Sequence, residues 1–132
     1  MGAKNCFGHF YIYGRFDIQF LCQDGYFEPD EVTVQLCESN VGYNDYFKWS
    51  YHTPKTSLLR FYNYSTANFF KSYYTRVLVK HRCPKDGGKP LPTPRCSIVR
   101  PSDDCLSCSN PSQPLCHLEA NFSIPNKYDD CD

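Results

Sequence analysis

Cysteine is the residue type most suited to chemistry in this chain, which has nine in 132 residues. Cys105 and Cys108 form a Cys-x-x-Cys pair, and Cys96, Cys116 and His117 lie near them in the sequence. Such a set could bind zinc, because Cys-x-x-Cys supplies two of the four ligands at a suitable spacing. We favour disulfides instead, since small secreted domains use this density of cysteine to supplement a limited core. We therefore expect no metal and no cofactor.

The number and setting of the cysteines add two expectations. Four bridges leave one thiol of the nine, available for an intermolecular bond or as a reactive site. A redox role for Cys105 and Cys108 is disfavoured, because a redox Cys-x-x-Cys begins a helix in an α/β setting and this pair lies in a proline-rich stretch.

Histidine offers the other potential chemistry. His81 falls on the inward face of a predicted strand, where it could act as a ligand or a base. We interpret it as a buried or half-buried histidine that is hydrogen-bonded near a disulfide. His9, His52 and His117 have no spacing typical of a metal site. A serine or cysteine nucleophile needs a paired base, and no local signature supplies one, so we expect no catalytic residue and no enzyme activity.

Composition places the chain outside the reducing cytosol. Two sequons, at Asn63 and Asn121, are candidate glycosylation sites and agree with the cysteine content. The formal net charge is zero, so no global field directs the chain to nucleic acid, and we expect none as a partner. No stretch approaches the ~20 apolar residues of a membrane span. The length predicts one secreted domain over residues 1–132.

The elements that position these residues are predicted to be strands. Residues 10–22 alternate strictly, with Phe10, Ile12, Phe16, Ile18 and Phe20 on one face. Further strands are predicted at 32–36, 46–51, 58–64, 75–83 and 116–124. Residues 66–74 predict a helical turn or a loop. Many short strands with at most one helical segment indicate an antiparallel sandwich or barrel.

Residues 84–115 differ from the rest. Seven of the ten prolines lie there, with Cys96, Cys105 and Cys108. Proline removes a backbone donor and fixes φ, so the segment predicts no continuous ladder or helix. We expect a long loop that disulfides hold against the domain, and a loop of this length is often functional.

The ordered set of motifs resembles the nematode transthyretin-like family. An opening strand runs through Gly14-Arg15 to Leu21-Cys22, and a Val-x-Val-x-Leu strand follows at 32–36. A late strand ends in His81-Arg82-Cys83, and a last strand runs from Cys116 to Ile124-Pro125. The resemblance covers most of the chain, whereas residues 41–74 match poorly and residues 84–115 are longer than is usual in the family.

The resemblance implies a fold and a function. The implied fold is an all-β, transthyretin-like antiparallel β-sandwich of about seven strands, open-barrel-like, with a short helix and a disulfide-pinned proline-rich loop. In the family pattern Cys83 and Cys116 end and begin neighbouring strands, so they are expected to bond to each other. One branch of the family bridges phosphatidylserine on apoptotic cells to an engulfment receptor, which implies those two partners here. The related 5-hydroxyisourate hydrolases end in Tyr-Arg-Gly-Ser, a tail that this chain does not have.

Residues 69–74 are the candidate lipid-binding segment. Phe69 and Phe70 could enter a membrane interface while the Lys71 ammonium meets a lipid phosphate. The alternative is a capping helix whose aromatic side chains belong to the core. Two other functions stay open: a secreted protein-binding module or effector without a lipid role, and a carrier of small apolar hormones. A homodimer is also left open.

Overall fold

The computed structural model describes residues 4–6, 8, 10–39, 46–68, 71–85, 88–108 and 116–131. Within them the chain is built almost entirely from strands. These are β1 (Lys4–Asn5), β2 (Tyr11–Cys22), β3 (Gly25–Tyr26), β4 (Glu31–Ser39), β5 (Tyr46–Thr53), β6 (Leu58–Thr66), β7 (Ser72–His81), β8 (Arg95–Val99), β9 (Leu106–Ser107), β10 (Cys116–Asn121) and β11 (Asp129–Asp130). Seven of these described strands have five residues or more, which agrees with the number that the family resemblance implies and is one more than the residue patterns predicted.

The strands form two sheets that pack as a sandwich. The first sheet has the order β11-β8-β7-β4-β5, with β1 paired to the start of β7. The second sheet is centred on β2, with β6 and β3 along one side and β9 and β10 along the other. The first sheet ends at β11 and β5, so it does not close into a barrel. The predicted all-β sandwich is therefore confirmed.

The core lies between the sheets and follows the predicted alternation. Phe16, Ile18 and Phe20 of β2 are fully buried against Val34 of β4 and Val77 of β7. Phe10 was predicted to belong to this face, but it precedes β2 and is 71% exposed. The apolar alternation in the sequence therefore continues past the buried part of the strand.

One pairing departs from the predicted antiparallel pattern. β10 runs parallel to β2, with Cys116 beside Phe16 and Asn121 beside Leu21. Parallel neighbours need a long connection rather than a tight turn. The chain supplies one, because every other long strand lies between β2 and β10 in the sequence.

The proline-rich segment is more ordered than predicted. β8 lies within it and extends the first sheet by pairing with β7. The run Arg95–Val99 contains no proline, so its backbone donors remain available for the ladder. Residues 66–74 were predicted to form a helical turn or a loop, and this is wrong only at the ends, since β6 includes Thr66 and β7 begins at Ser72. A short 3₁₀ turn occurs instead at Asp103–Cys105.

Four disulfides connect the sandwich. They join Cys6 to Cys108, Cys22 to Cys83, Cys96 to Cys131 and Cys105 to Cys116. Both cysteines of the Cys-x-x-Cys pair are thus in disulfides, and three bridges hold the proline-rich segment, as expected. The ninth cysteine, Cys37, keeps its thiol and is buried in β4.

The prediction that Cys83 bonds to Cys116 is wrong. Cys83 bonds to Cys22 at the end of β2, with their Cα atoms 5.7 Å apart. Cys116 begins β10 beside Phe16, six residues earlier along β2, which is a separation of about 20 Å at the usual rise of a strand. A disulfide spans roughly 4.4–6.8 Å between Cα atoms, so the parallel register of β10 prevents the expected pairing.

Candidate functional site

Lys71, one of the three predicted lipid-binding residues, lies in the connection between β6 and β7 and is half-buried. Its backbone N–H donates to the Asn68 carbonyl at 3.2 Å. Phe69 and Phe70, the other two, lie outside the described residues. The structure therefore places the lysine of the predicted segment at one end of the sandwich.

Aromatic side chains surround this connection on the described surface. Phe10 is 71% exposed, Tyr11 45% and Tyr64 54%. The pairing of β2 with β6 brings them together, because Tyr11 is opposite Thr66 and the Ala67 N–H donates to the Phe10 carbonyl at 2.8 Å. Large aromatic side chains are usually buried, so this exposure at one end of a sandwich indicates a contact surface.

One basic side chain is seen to reach this region. Lys48 of β5 reaches across to the second sheet, where its Nζ donates to Thr66 Oγ1 at 3.4 Å. Among the described residues, neither Lys48 nor Lys71 forms an ion pair within 4 Å. We call the set Phe10, Tyr11, Lys48, Tyr64 and Lys71 the aromatic end. Exposed rings with neighbouring ammonium groups can enter a membrane interface and meet phosphates.

A buried tyrosine links the β6–β7 connection to the first sheet. Tyr73 is fully buried, and its hydroxyl donates to Glu38 Oε2 at 2.6 Å and accepts from the Asn68 N–H at 2.7 Å. Burial, with the hydrogen bond to Glu38, raises the pKa of Tyr73 to about 12. The phenol therefore stays protonated at physiological pH and holds the β6–β7 connection in place.

A second exposed surface covers the outer face of the second sheet. Tyr13 and Tyr64 are opposite each other, with ring centroids 5.8 Å apart, and Tyr11 lies 6.4 Å from Tyr13 and 6.1 Å from Tyr64. Tyr62, 50% exposed, is the next outward residue of β6. We call these four residues the tyrosine face. The sequence signal was present, since Tyr11 and Tyr13 occupy the face of β2 opposite the core, but we did not single them out.

His81 matches its predicted interpretation as a buried histidine near a disulfide. The Cys83 N–H donates to its Nδ1 at 3.1 Å, so Nε2 carries the proton and donates to Ser97 Oγ at 3.0 Å. Burial, reinforced by Arg95, lowers the pKa of His81 to about 4. The ring stacks on Phe122 at a centroid distance of 4.3 Å. Both nitrogens therefore have partners inside the core.

The other described histidines lie on the outer faces. His117 is exposed and its Nδ1 contacts the Asp17 carboxylate, which is largely covered. His52 lines a groove of about 330 Å³ on the first sheet, together with Glu31 and Lys80. That groove adjoins the start of β4, whereas the aromatic end adjoins its last residues. Within the described part of the chain, no three metal-binding side chains cluster.

The two glycosylation candidates differ in their surroundings. Asn121 ends β10, where its Nδ2 donates to the Gln23 carbonyl at 2.8 Å and its Oδ1 accepts from Ser123. Asn63 is half-buried in β6, opposite Gly14 on the inward side of the alternation. Both side chains are half-buried, and Asn121 lies on the outer side of the second sheet.

The chain matches no protein-family model, and neither a curated protein nor a solved structure shows significant similarity to it. In the described residues, no helix has the length and apolar character needed to cross a membrane. The function must therefore be inferred from the fold, the disulfides and the exposed surfaces.

Proposed function

We propose that this chain is a secreted, transthyretin-like binding protein that recognises phosphatidylserine on apoptotic cells and links it to a phagocyte receptor. One observation carries the lipid part: the exposed rings of Phe10, Tyr11 and Tyr64 lie at the end of the sandwich where Lys48 reaches Thr66 and where the β6–β7 connection carries Lys71. The resemblance of the ordered sequence motifs to the nematode transthyretin-like family supports the choice of lipid and receptor.

The disulfides support an extracellular site of action. Four bridges in a chain of this size are typical of proteins that fold in an oxidising compartment. Phosphatidylserine on a dying cell is exposed on the outer surface, so protein and ligand would meet outside the cell. The sequon at Asn121 is consistent with the same route.

The proposed contact combines two physical effects. Burial of an aromatic side chain in the interface contributes about 1.5–3 kcal/mol relative to its exposed state. A lysine near an anionic surface adds about 1 kcal/mol. Because the net charge is zero, general attraction to anionic membranes is weak, and Phe10 supplies the larger share.

We propose binding rather than catalysis. His81 is fully buried, and each of its ring nitrogens has a hydrogen-bond partner in the core. A general base must reach the proton that it abstracts. His81 is therefore assigned a structural role.

Liposome flotation tests the proposal. The protein should float with phosphatidylserine vesicles and not with phosphatidylcholine vesicles, and it should prefer phosphatidylserine to equally charged phosphatidylglycerol. Binding should weaken as salt rises, because exposed charge contacts are screened.

Lys71→Glu should lower binding, whereas Lys55→Glu should not, since Lys55 lies in the β5–β6 connection at the other end of the sandwich. Equal flotation with all three lipids would contradict the proposal.

A protein-binding module without a lipid role is the second candidate. The proline-rich residues 88–94 are mostly exposed, yet they are anchored. The Leu91 N–H donates to the Arg82 carbonyl at 2.8 Å, and Arg82 Nη1 donates to the Pro92 carbonyl at 2.7 Å. An exposed, pre-ordered segment suits recognition by another protein. This candidate takes precedence if the protein ignores phosphatidylserine vesicles at low salt.

A further inference from the structure

The tyrosine face is composed like a protein interface. Its four rings lie on a regular sheet, and those of Tyr11, Tyr13 and Tyr64 pack against one another, so these three lose little side-chain freedom when they are covered. Tyrosine and arginine are enriched at interfaces and in their energetic centres. Arg15 is directly opposite Tyr62 on this face, and Arg60 is opposite Asp17. The surface therefore combines aromatic area with guanidinium groups.

The charges on this face are arranged asymmetrically across the strands. Arg60 lies on β6 and Arg15 on β2, and in the described structure neither forms an ion pair within 4 Å. Exposed Glu119 lies on β10, at the opposite side of the sheet. The β6 edge of the face therefore carries a basic residue and the β10 edge an acidic one. Two copies of the face can pair these opposite charges.

We propose that the tyrosine face binds a second copy of this chain, through a two-fold axis that runs parallel to the strands of the second sheet. This axis places β6 of one copy over β10 of the other. Arg60 then faces His117 of the second copy, and Glu119 of that copy lies two residues further, about 7 Å along the strand. An extended arginine spans that distance. The axis passes over β2, so Arg15 lies near its own equivalent, with Asp17 of the second copy two residues further along the strand.

The available area is consistent with a weak dimer. β2, β6 and β10 have 12, 9 and 6 residues, and together they cover roughly 430 Å² per copy at the usual strand rise and spacing. Stable interfaces bury about 800 Å² per partner, and weaker ones fall below about 600 Å². The face therefore belongs with the weaker interfaces, and the dimer should dissociate on dilution.

The proposed axis has a consequence for membrane contact, which rests on the proposed function. A two-fold axis parallel to the strands leaves both aromatic ends pointing in the same direction. Because Tyr11 and Tyr64 are covered in this dimer, the membrane contacts that remain are the two copies of Phe10 with their neighbouring lysines. They face one surface, and linked contacts raise the overall affinity without any new interaction.

Sedimentation equilibrium with a charge exchange tests the dimer. The wild type should be dimeric at 200 µM and should dissociate on dilution. Arg60→Glu and Glu119→Arg should each raise the dimer dissociation constant at least tenfold, because each places like charges together. The double variant Arg60→Glu/Glu119→Arg should return to within threefold of the wild type. Lys55→Glu, outside the face, should leave the constant unchanged.

Three results would overturn the dimer: a wild type that is monomeric at 200 µM, single reversals without effect, or a double variant no tighter than the weaker single variant. Circular dichroism must show native spectra for each variant, and the double variant tests the pairing even if one single variant folds poorly. Flotation of the same proteins is read separately. If the wild type is monomeric but still floats with phosphatidylserine vesicles, only the dimer proposal is contradicted. If it is dimeric but does not float, only the lipid proposal is contradicted.

Discussion

The hydroxyl of Tyr73 donates a 2.6 Å hydrogen bond to the carboxylate of Glu38, which joins the start of β7 to the end of β4. The same oxygen accepts the Asn68 N–H at 2.7 Å. One buried phenol therefore connects the core of the first sheet to the connection that carries Lys71. This pair of hydrogen bonds fixes the start of the β6–β7 connection.

Removal of that hydroxyl should destabilise the protein. Tyr73→Phe leaves the Asn68 N–H and the Glu38 carboxylate without their partner, which should lower the free energy of unfolding by about 1–3 kcal/mol. Urea denaturation measures the change. Tyr62→Phe is the matched control, because Tyr62 is half-exposed and should change stability by less than about 0.5 kcal/mol. Equal effects of the two substitutions would contradict the role given to Tyr73.

Acidification should destabilise the chain through His81. Burial, reinforced by Arg95 and opposed by Asp30, lowers its pKa from 6.5 to about 4. The unfolded state therefore binds an additional proton between these values, so stability is complete above about pH 6.5 and falls toward pH 4. The full loss from this group is about 3 kcal/mol.

The pH dependence can be assigned by substitution. His81→Gln can keep both hydrogen bonds and does not titrate, so its unfolding free energy should vary less between pH 6.5 and 5 than that of the wild type. His52→Gln should retain the wild-type slope, because His52 is exposed. A wild-type slope in His81→Gln protein would show that other groups control the acid response.

The disulfides should contribute unequally to stability. Cys6 and Cys108 are 102 residues apart in sequence, whereas Cys105 and Cys116 are 11 apart. In the chain-entropy model the longer loop gives about 4.7 kcal/mol and the shorter about 3 kcal/mol. Cys6→Ser/Cys108→Ser should therefore lower the denaturation midpoint more than Cys105→Ser/Cys116→Ser. The reverse order, or peptide mapping that found other pairs, would contradict the connectivity.

Local patterns predicted the strands well, because alternation over a half-buried strand is a direct consequence of two-residue periodicity. β2, β4, β5 and β6 all lie where the sequence placed them. The cysteine pairing could not be predicted in the same way. It depends on which strands are neighbours and on their direction, and the parallel arrangement of β10 leaves no local mark in the sequence.

The candidate site was predicted only in part. Lys71 follows two phenylalanines in the sequence, yet the described rings near the β6–β7 connection come from the start of β2 and the end of β6. Phe10 was assigned to the core because it continues the apolar alternation, and only the tertiary structure shows that it extends beyond the sandwich. The surface therefore arises from contacts between segments distant in sequence, which a single-sequence pattern does not contain.

The affinity of Phe10→Ser protein for phosphatidylserine vesicles at low salt is the most direct test of the proposed membrane contact. Phe10 is 71% exposed, so its loss should leave the fold intact. Withdrawal of one aromatic ring from the interface, worth about 1.5–3 kcal/mol, should weaken vesicle binding at least tenfold. Tyr26→Ser is the control, because Tyr26 is 69% exposed at the other end of β2. Folded Phe10→Ser protein that binds vesicles as tightly as the wild type, or a wild type that does not bind them, would contradict the proposed contact.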